Sequence, residues 1–216
     1  MVSCSKIKTN KCGKMSKQFV FFRMTLLLLL LISGSMLVIS CDTPEQKHQK
    51  QANNYYDEAL WDNAIAEYGE VLKINPKNTE ALVNRGSSYT EKGEYDLAIA
   101  DCTQAIEIDP ENVIAYYNRS IAYLRRGDLY KAQGNDAQAK ADWELAIKDC
   151  SEIIDSGLQN SFVLLHRGLA YKNLKDYNAA EADLNKAMTT STNEEFILRV
   201  KLSLDQMKQE QETPQK

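Results

Sequence analysis

Two histidines, five cysteines and 30 acidic residues are the groups in this 216-residue chain that could hold a metal, attack a carbonyl or move a proton. A metal centre needs ligands at short, regular spacings, and a nucleophilic site needs a base beside its thiol or hydroxyl. His48 and His166 stand far apart, and neither has a cysteine at ligand spacing. Cys4 and Cys12 lie in a lysine-rich N-terminal stretch, Cys41 closes an apolar run, and Cys102 and Cys150 stand alone in the body. No disulfide framework follows from that distribution. Gly-rich phosphate loops, nucleophile elbows and Walker sequences are also missing. The carboxylates are plentiful, but they are spread as a solvated helix face spreads them. The sequence therefore predicts no enzyme, no metal and no cofactor, and leaves anchoring and recognition as the chemistry to look for.

Anchoring is written in residues 1–40. Lys6, Lys8, Lys11, Lys14, Lys17 and Arg23 occur there without one acidic residue, and an apolar run over residues 24–39 follows. A basic stretch before an apolar one is the pattern of an export signal. The formal net charge is −4, from 26 basic and 30 acidic residues; taking out those six cations leaves 20 against 30, a body near −10. Such a body repels phosphate, so nucleic acid is excluded as a partner.

The segment Leu37, Val38, Ile39, Ser40, Cys41 resembles the bacterial lipobox. The resemblance implies a diacylglycerol thioether on Cys41, cleavage before it and acylation of the new N-terminus. Two or more acyl chains, at about 0.8 kcal/mol per buried CH₂, hold a protein on a membrane where one chain is marginal. An uncleaved anchor over residues 19–39 stays open, because that length nearly spans a hydrocarbon core of about 30 Å. Both readings keep the cations cytoplasmic and put the body outside the cytoplasm, in the cell envelope.

The body repeats itself. Ala64, Ile65, Ile74, Asn75 and Pro76 recur as Ala98, Ile99, Ile108, Asp109 and Pro110, a period of 34 residues. Such a period points to stacked helical hairpins. Numbered from 1 at residues 45, 79 and 161, the units place Ala52, Gly86 and Gly168 at position 8, and Tyr55, Tyr89 and Tyr171 at position 11. Position 20 is Ala64, Ala98 and Ala180, and position 24 is Tyr68, Cys102 and Leu184. Small residues at 8 and 20 let two helices cross closely, and larger ones at 11 and 24 fill the space between them. Pro76 and Pro110 stop the second helix, and Asn78 and Asn112 stand where the next helix needs an N-cap. This pattern resembles the tetratricopeptide repeat family, which implies an all-α solenoid of about four hairpins.

The third unit exceeds 34 residues by 14. Tyr116, Arg119 and Tyr123 fit one register, and Tyr123, Gly127, Tyr130, Gly134, Ala139, Trp143 and Ala146 fit another shifted by seven. Seven residues are nearly two helical turns, so an insertion of seven in each helix leaves the buried stripe on its face. One oversized hairpin is expected, with helices over residues 113–133 and 136–154 and a turn at Gly134 and Asn135. The organisation is then a signal segment 1–40, a lipidated Cys41 with a polar tether to residue 50, and an array over 45–192. Its units are 45–78, 79–112, an extended 113–160 and 161–192. Phe196, Val200, Leu204 and Met207 form one stripe of a capping helix over 193–209, and 210–216 is a polar tail.

In the resembled family, positions 2, 5, 9, 12 and 13 of each first helix line the concave side. Here the N-terminal half of that lining is polar apart from Val83. The C-terminal half is apolar, with Ile114, Tyr117, Ile121, Leu124 and Arg125, then Phe162, Leu165, Leu169 and Lys172. These residues are the expected groove for a protein or peptide partner; burial as extra core, or cover by the chain's own tail, is the alternative. The family's carboxylate clamp is not expected, since Gln49, Ile114 and Asn118 stand where its cations belong. A membrane-tethered, non-catalytic scaffold is thus the leading expectation. A structural subunit of a larger envelope complex, or an accessory to an enzyme on another chain, is the competing one.

Overall fold

The computed structural model describes residues 42–158 and 160–212; Cys41 and the expected export signal lie outside them. Nine helices follow in order among the described residues: α1 Pro44–Asp57, α2 Trp61–Ile74, α3 Thr79–Lys92, α4 Tyr95–Ile108, α5 Val113–Ala132, α6 Asp136–Asp155, α7 Ser161–Asn173, α8 Tyr177–Thr190 and α9 Glu194–Glu212. They pair as four hairpins and a final helix, each element packed on the next. The fold is an all-α solenoid with an extended third hairpin and a C-terminal capping helix. No helix among the described residues is long and apolar enough to cross a membrane.

Caps and turns define the units. Thr43 forms a capping box with Gln46 at the head of α1. Asn78 and Asn112 accept from the backbone N–H groups of Ala81 and Ala115 at 3.0 Å, each closing one of the orphan donors at a helix start. Between the helices of every hairpin the chain passes through the left-handed region at one equivalent position: Ala59 at φ 56°, Gly93 at 80°, Gly134 at 78° and Lys175 at 63°. The next residue's N–H then bonds back to the carbonyl of Tyr55, Tyr89, Tyr130 or Tyr171 at 2.8–3.0 Å. Ala59 and Lys175 bear a Cβ there, at a cost of roughly 1–2 kcal/mol that glycine escapes. The register of the hairpin overrides local preference at those two turns.

Close crossing accounts for the small residues. A Cβ on Gly127 would stand 2.6 Å from Trp143 Nε1, and one on Gly86 2.9 Å from Cys102 Sγ. Real carbon contacts do not reach such distances, so position 8 is small because position 24 is large. Ala52, Ala64, Tyr68, Val71 and Ala81 form the first packed cluster, and Leu124, Ala139, Trp143, Ala146 and Ala170 the one around the long hairpin.

A ladder of ion pairs runs through the same interfaces. Arg85 clasps Asp101, Arg126 clasps Asp142 and Arg167 clasps Asp183, each through Nε and Nη2 to both carboxylate oxygens at 2.7–2.9 Å and each across 16 residues. Each guanidinium also lies over the tyrosine one turn on, Tyr89, Tyr130 and Tyr171, at 5.8–6.0 Å. Arg119 clasps Asp149 in the same way at 2.8 Å, but across 30 residues. The excess, 30 less 16, is the 14 residues by which the hairpin is long. α5 and α6 are 20 residues each, against 13 or 14 in the other hairpins. The insertion has therefore duplicated one Arg–Asp rung without shifting the buried face. In the first hairpin Gln51 replaces the arginine, and Glu67 instead meets His48 Nδ1 at 2.6 Å.

The rungs also join neighbours. Arg119 Nη1 donates to Thr103 Oγ1 at 3.0 Å and Arg167 Nη1 to Ser151 Oγ at 3.1 Å, both on the second helix of the preceding hairpin. Arg126 Nη1 reaches back to Asp96. First helices touch along the array, α3 with α5 and α5 with α7, and Tyr56 bonds Ser87 at 2.8 Å between α1 and α3. They form the inner row.

Candidate functional site

The described cysteines offer no nucleophile. Cys102 and Cys150 are free and fully buried, and burial pushes both thiols up to about 12, so they stay protonated and behave as small apolar side chains. Among the described residues no group of three histidine, cysteine or acidic side chains is gathered for a metal. The four Arg–Asp pairs saturate one another and serve packing.

The inner row leaves a surface whose two ends differ. Near the first hairpin it is a polar hollow of about 750 Å³ lined by Gln46, Gln49, Asn53, Asn78 and Glu80 among others. Its amides are largely committed: Asn53 Oδ1 accepts from the Tyr68 hydroxyl at 2.7 Å and from Gln49 Nε2 at 3.2 Å. Near the third and fourth hairpins the surface is apolar. Ile114 is 64 % exposed and Phe162 43 %, with half-buried Tyr117 and Ile121 on the same helix as Ile114.

Three of the residues expected to line the groove are core instead. Val83 packs with Leu82, Ala105 and Ala115; Leu124 packs with Trp143 and Ala170; Leu165 is enclosed with Leu184, Phe196, Val200 and Leu204. The reason is shared. Position 5 points toward the next first helix of the row, and Leu124 occupies position 5 in the shifted register of the long hairpin. Leu169 is half-buried between the same two clusters, and Arg125 pairs with Glu91 at 3.0 Å. Lys172 pairs with Glu210 of α9 at 3.4 Å. α9 stacks as a fifth first helix would, burying Phe196, Val200, Leu204 and Met207 and covering the far end of the expected groove. The open part is the stretch from Ile114 and Tyr117 to Phe162.

At its centre is a residue that spacing alone passes over. His166 lies edge-on to Tyr117, ring centroids 5.4 Å apart at 63°, and its Nδ1 is buried without a well-formed hydrogen bond. Burial, with Arg199 and Arg125 nearby, lowers its pKa to about 4, and the Phe162 backbone opposes that only weakly. The imidazole is therefore neutral at physiological pH. Tyr117 is pushed up to about 12, mainly by burial. Phe162 meets Phe196 edge-on at 4.8 Å, which carries α9, and Arg199 with it, to the edge of the surface. In sequence, His166 sits at position 6 beside a core leucine, and Arg199 within a capping helix; neither position advertises a binding face.

Family profiles for the TPR repeat match residues 86–127, and profiles for the tetratricopeptide repeat match residues 121–152 and 163–193. No curated protein sequence matches the chain. Among solved structures it resembles TTC0263, a thermophilic TPR protein of Thermus thermophilus, with a TM-score of 0.64 and 23 % identity over 74 % of this chain and 82 % of that one. It also resembles MamA, residues 41 to the end, from Desulfovibrio magneticus RS-1, with a TM-score of 0.60 and 13 % identity over 79 % and 91 %. At these identities the likeness is one of fold. Profile matches in the second, third and fourth hairpins, together with the hairpin stacking, show that this chain carries tetratricopeptide repeats.

Proposed function

We propose that this protein is a non-catalytic scaffold of the cell envelope, held on a membrane by a lipid on Cys41, that captures a protein or peptide partner on its inner face. The observation that carries the reading is the apolar surface from Ile114 to Phe162. Two large apolar side chains are left exposed there, on neighbouring first helices and beside a half-buried tyrosine, and an apolar patch of that kind marks a partner site. Repeat arrays of this class bind extended or helical segments along the inner row, where successive helices each contribute a few side chains.

Because Ile114 is 64 % exposed, a charge there does not enter the core. The variant Ile114→Asp is expected to keep the melting temperature within a few degrees, as surface changes do, while the partner recovered after crosslinking in intact cells falls at least about tenfold, the loss that about 1.4 kcal/mol produces. Undiminished recovery would show that the partner binds elsewhere. Anchoring is tested separately: Cys41→Ala should leave an unprocessed precursor that takes up no labelled fatty acid, and equal labelling of variant and wild type would exclude the lipid.

A further inference from the structure

Six arginines fall among the described residues. Five of them hold carboxylates: Arg85, Arg119, Arg126 and Arg167 on the ladder, and Arg125 on Glu91. Arg199 is exposed and has no ion pair among the described residues, although the body carries a large excess of acid. It lies one turn beyond Phe196, whose ring meets Phe162, and its charge is felt by both Tyr117 and His166. The Tyr117 hydroxyl has no protein hydrogen-bond partner among the described residues, and beside it stands the neutral His166 ring, whose Nδ1 is enclosed and turned to the Phe162 backbone. One cation and one hydroxyl able to donate thus border a surface whose rim, Ile114 and Phe162, is apolar.

We propose that the surface beside Tyr117, His166 and Arg199 receives an aspartate or glutamate side chain of a bound peptide, held by the guanidinium and the phenol, with a neighbouring apolar residue of that peptide resting on Ile114 and Phe162. This rests on the reading of the inner face as a peptide-binding surface, and it adds the chemistry of what binds. A carboxylate has lone pairs enough for both the guanidinium and the phenol. A charge-assisted bond from a guanidinium is about twice as strong as a neutral one and favours the acid over its amide. The site is unlike a clamp for a chain terminus, because its cation comes from the capping helix and its other groups are a phenol and a neutral imidazole.

The test uses the full-length protein in detergent micelles and a bead library of random heptapeptides, each acetylated at the N-terminus and amidated at the C-terminus so that no terminal carboxylate is present. Bound peptides are expected to be enriched in Asp or Glu next to Leu, Ile or Phe. Replacing that acid by its amide should weaken binding on the order of tenfold. Arg199→Gln should erase the difference between acid and amide while keeping the apolar preference. Addition of a selected peptide should also move the His166 ring resonances and leave those of His48 in place. Binders without acidic enrichment, or an acid preference that survives Arg199→Gln, would overturn this proposal and leave the peptide-binding reading standing. Absence of binders from the library would overturn both, and binding that appears only when the C-terminus is left free would overturn this proposal alone.

Discussion

Replacing Asp149 by alanine is expected to lower stability by about 3–5 kcal/mol, the range seen when one partner of a buried ion pair is removed. Asp149 is 2 % exposed, and its carboxylate is held by both arms of Arg119 at 2.8 Å. Burial pushes its pKa up and the guanidinium pulls it back, so the pair is stable only as a pair. Without the carboxylate, Arg119 keeps the Thr103 hydroxyl and the faces of Tyr116 and Tyr123, and a half-buried cation loses its counter-ion. Asp142→Ala should cost less, because Arg126 retains Asp96 as a second acid. Glu144→Ala, which removes an exposed pair at 3.7 Å with Lys140, should fall within about 0.5 kcal/mol of wild type. Chemical denaturation of the three variants checks the order. Equal losses for Asp149→Ala and Glu144→Ala would show that the ladder contributes nothing to the fold.

Much of the architecture is legible in the sequence because the repeat exposes its own sterics. Gly86 against Cys102, and Gly127 against Trp143, are small-on-large crossings that the spacing of positions 8 and 24 predicts, and the stripe from Phe196 to Met207 is buried at the end of the array. The ladder is not legible in that way. Acidic residues on helices are usually solvated, so Asp101, Asp142, Asp149 and Asp183 read as surface charge. The signal that marks them is the repeated interval of 16 residues after Arg85, Arg126 and Arg167. The binding face is legible only in part. Val83, Leu124 and Leu165 are apolar at lining positions, but sequence does not say whether a position-5 side chain meets solvent or the next helix in the row. Tertiary stacking decides that, and it buries all three. His166 and Arg199 come together only because α9 packs back on α7, a contact with no sequence signature.

The central structural claim is that the third hairpin is an ordinary repeat lengthened by seven residues in each helix, and one pair of deletions tests it. Removing residues 121–127 together with 139–145 brings Arg119 from 30 to 16 residues from Asp149, the interval of the other rungs. It also leaves Ser120 at the close crossing and brings Tyr130 to one turn beyond Arg119. Both helices keep their buried stripe, because seven residues are nearly two turns. Removing 121–127 alone instead offers Arg119 to Asp142 and strands Asp149; removing 139–145 alone gives Asp149 to Arg126 and strands Arg119. Each single deletion also leaves two turns of helix without a facing partner. The cost should be several kcal/mol, which for a domain of this size is on the order of 10 °C in melting temperature. The measurement is the thermal unfolding of the three deletion proteins, followed by circular dichroism at 222 nm. The doubled-register structure predicts one cooperative transition for the paired deletion, at a clearly higher temperature than for either single deletion. A paired deletion that melts no higher than the single ones would contradict it.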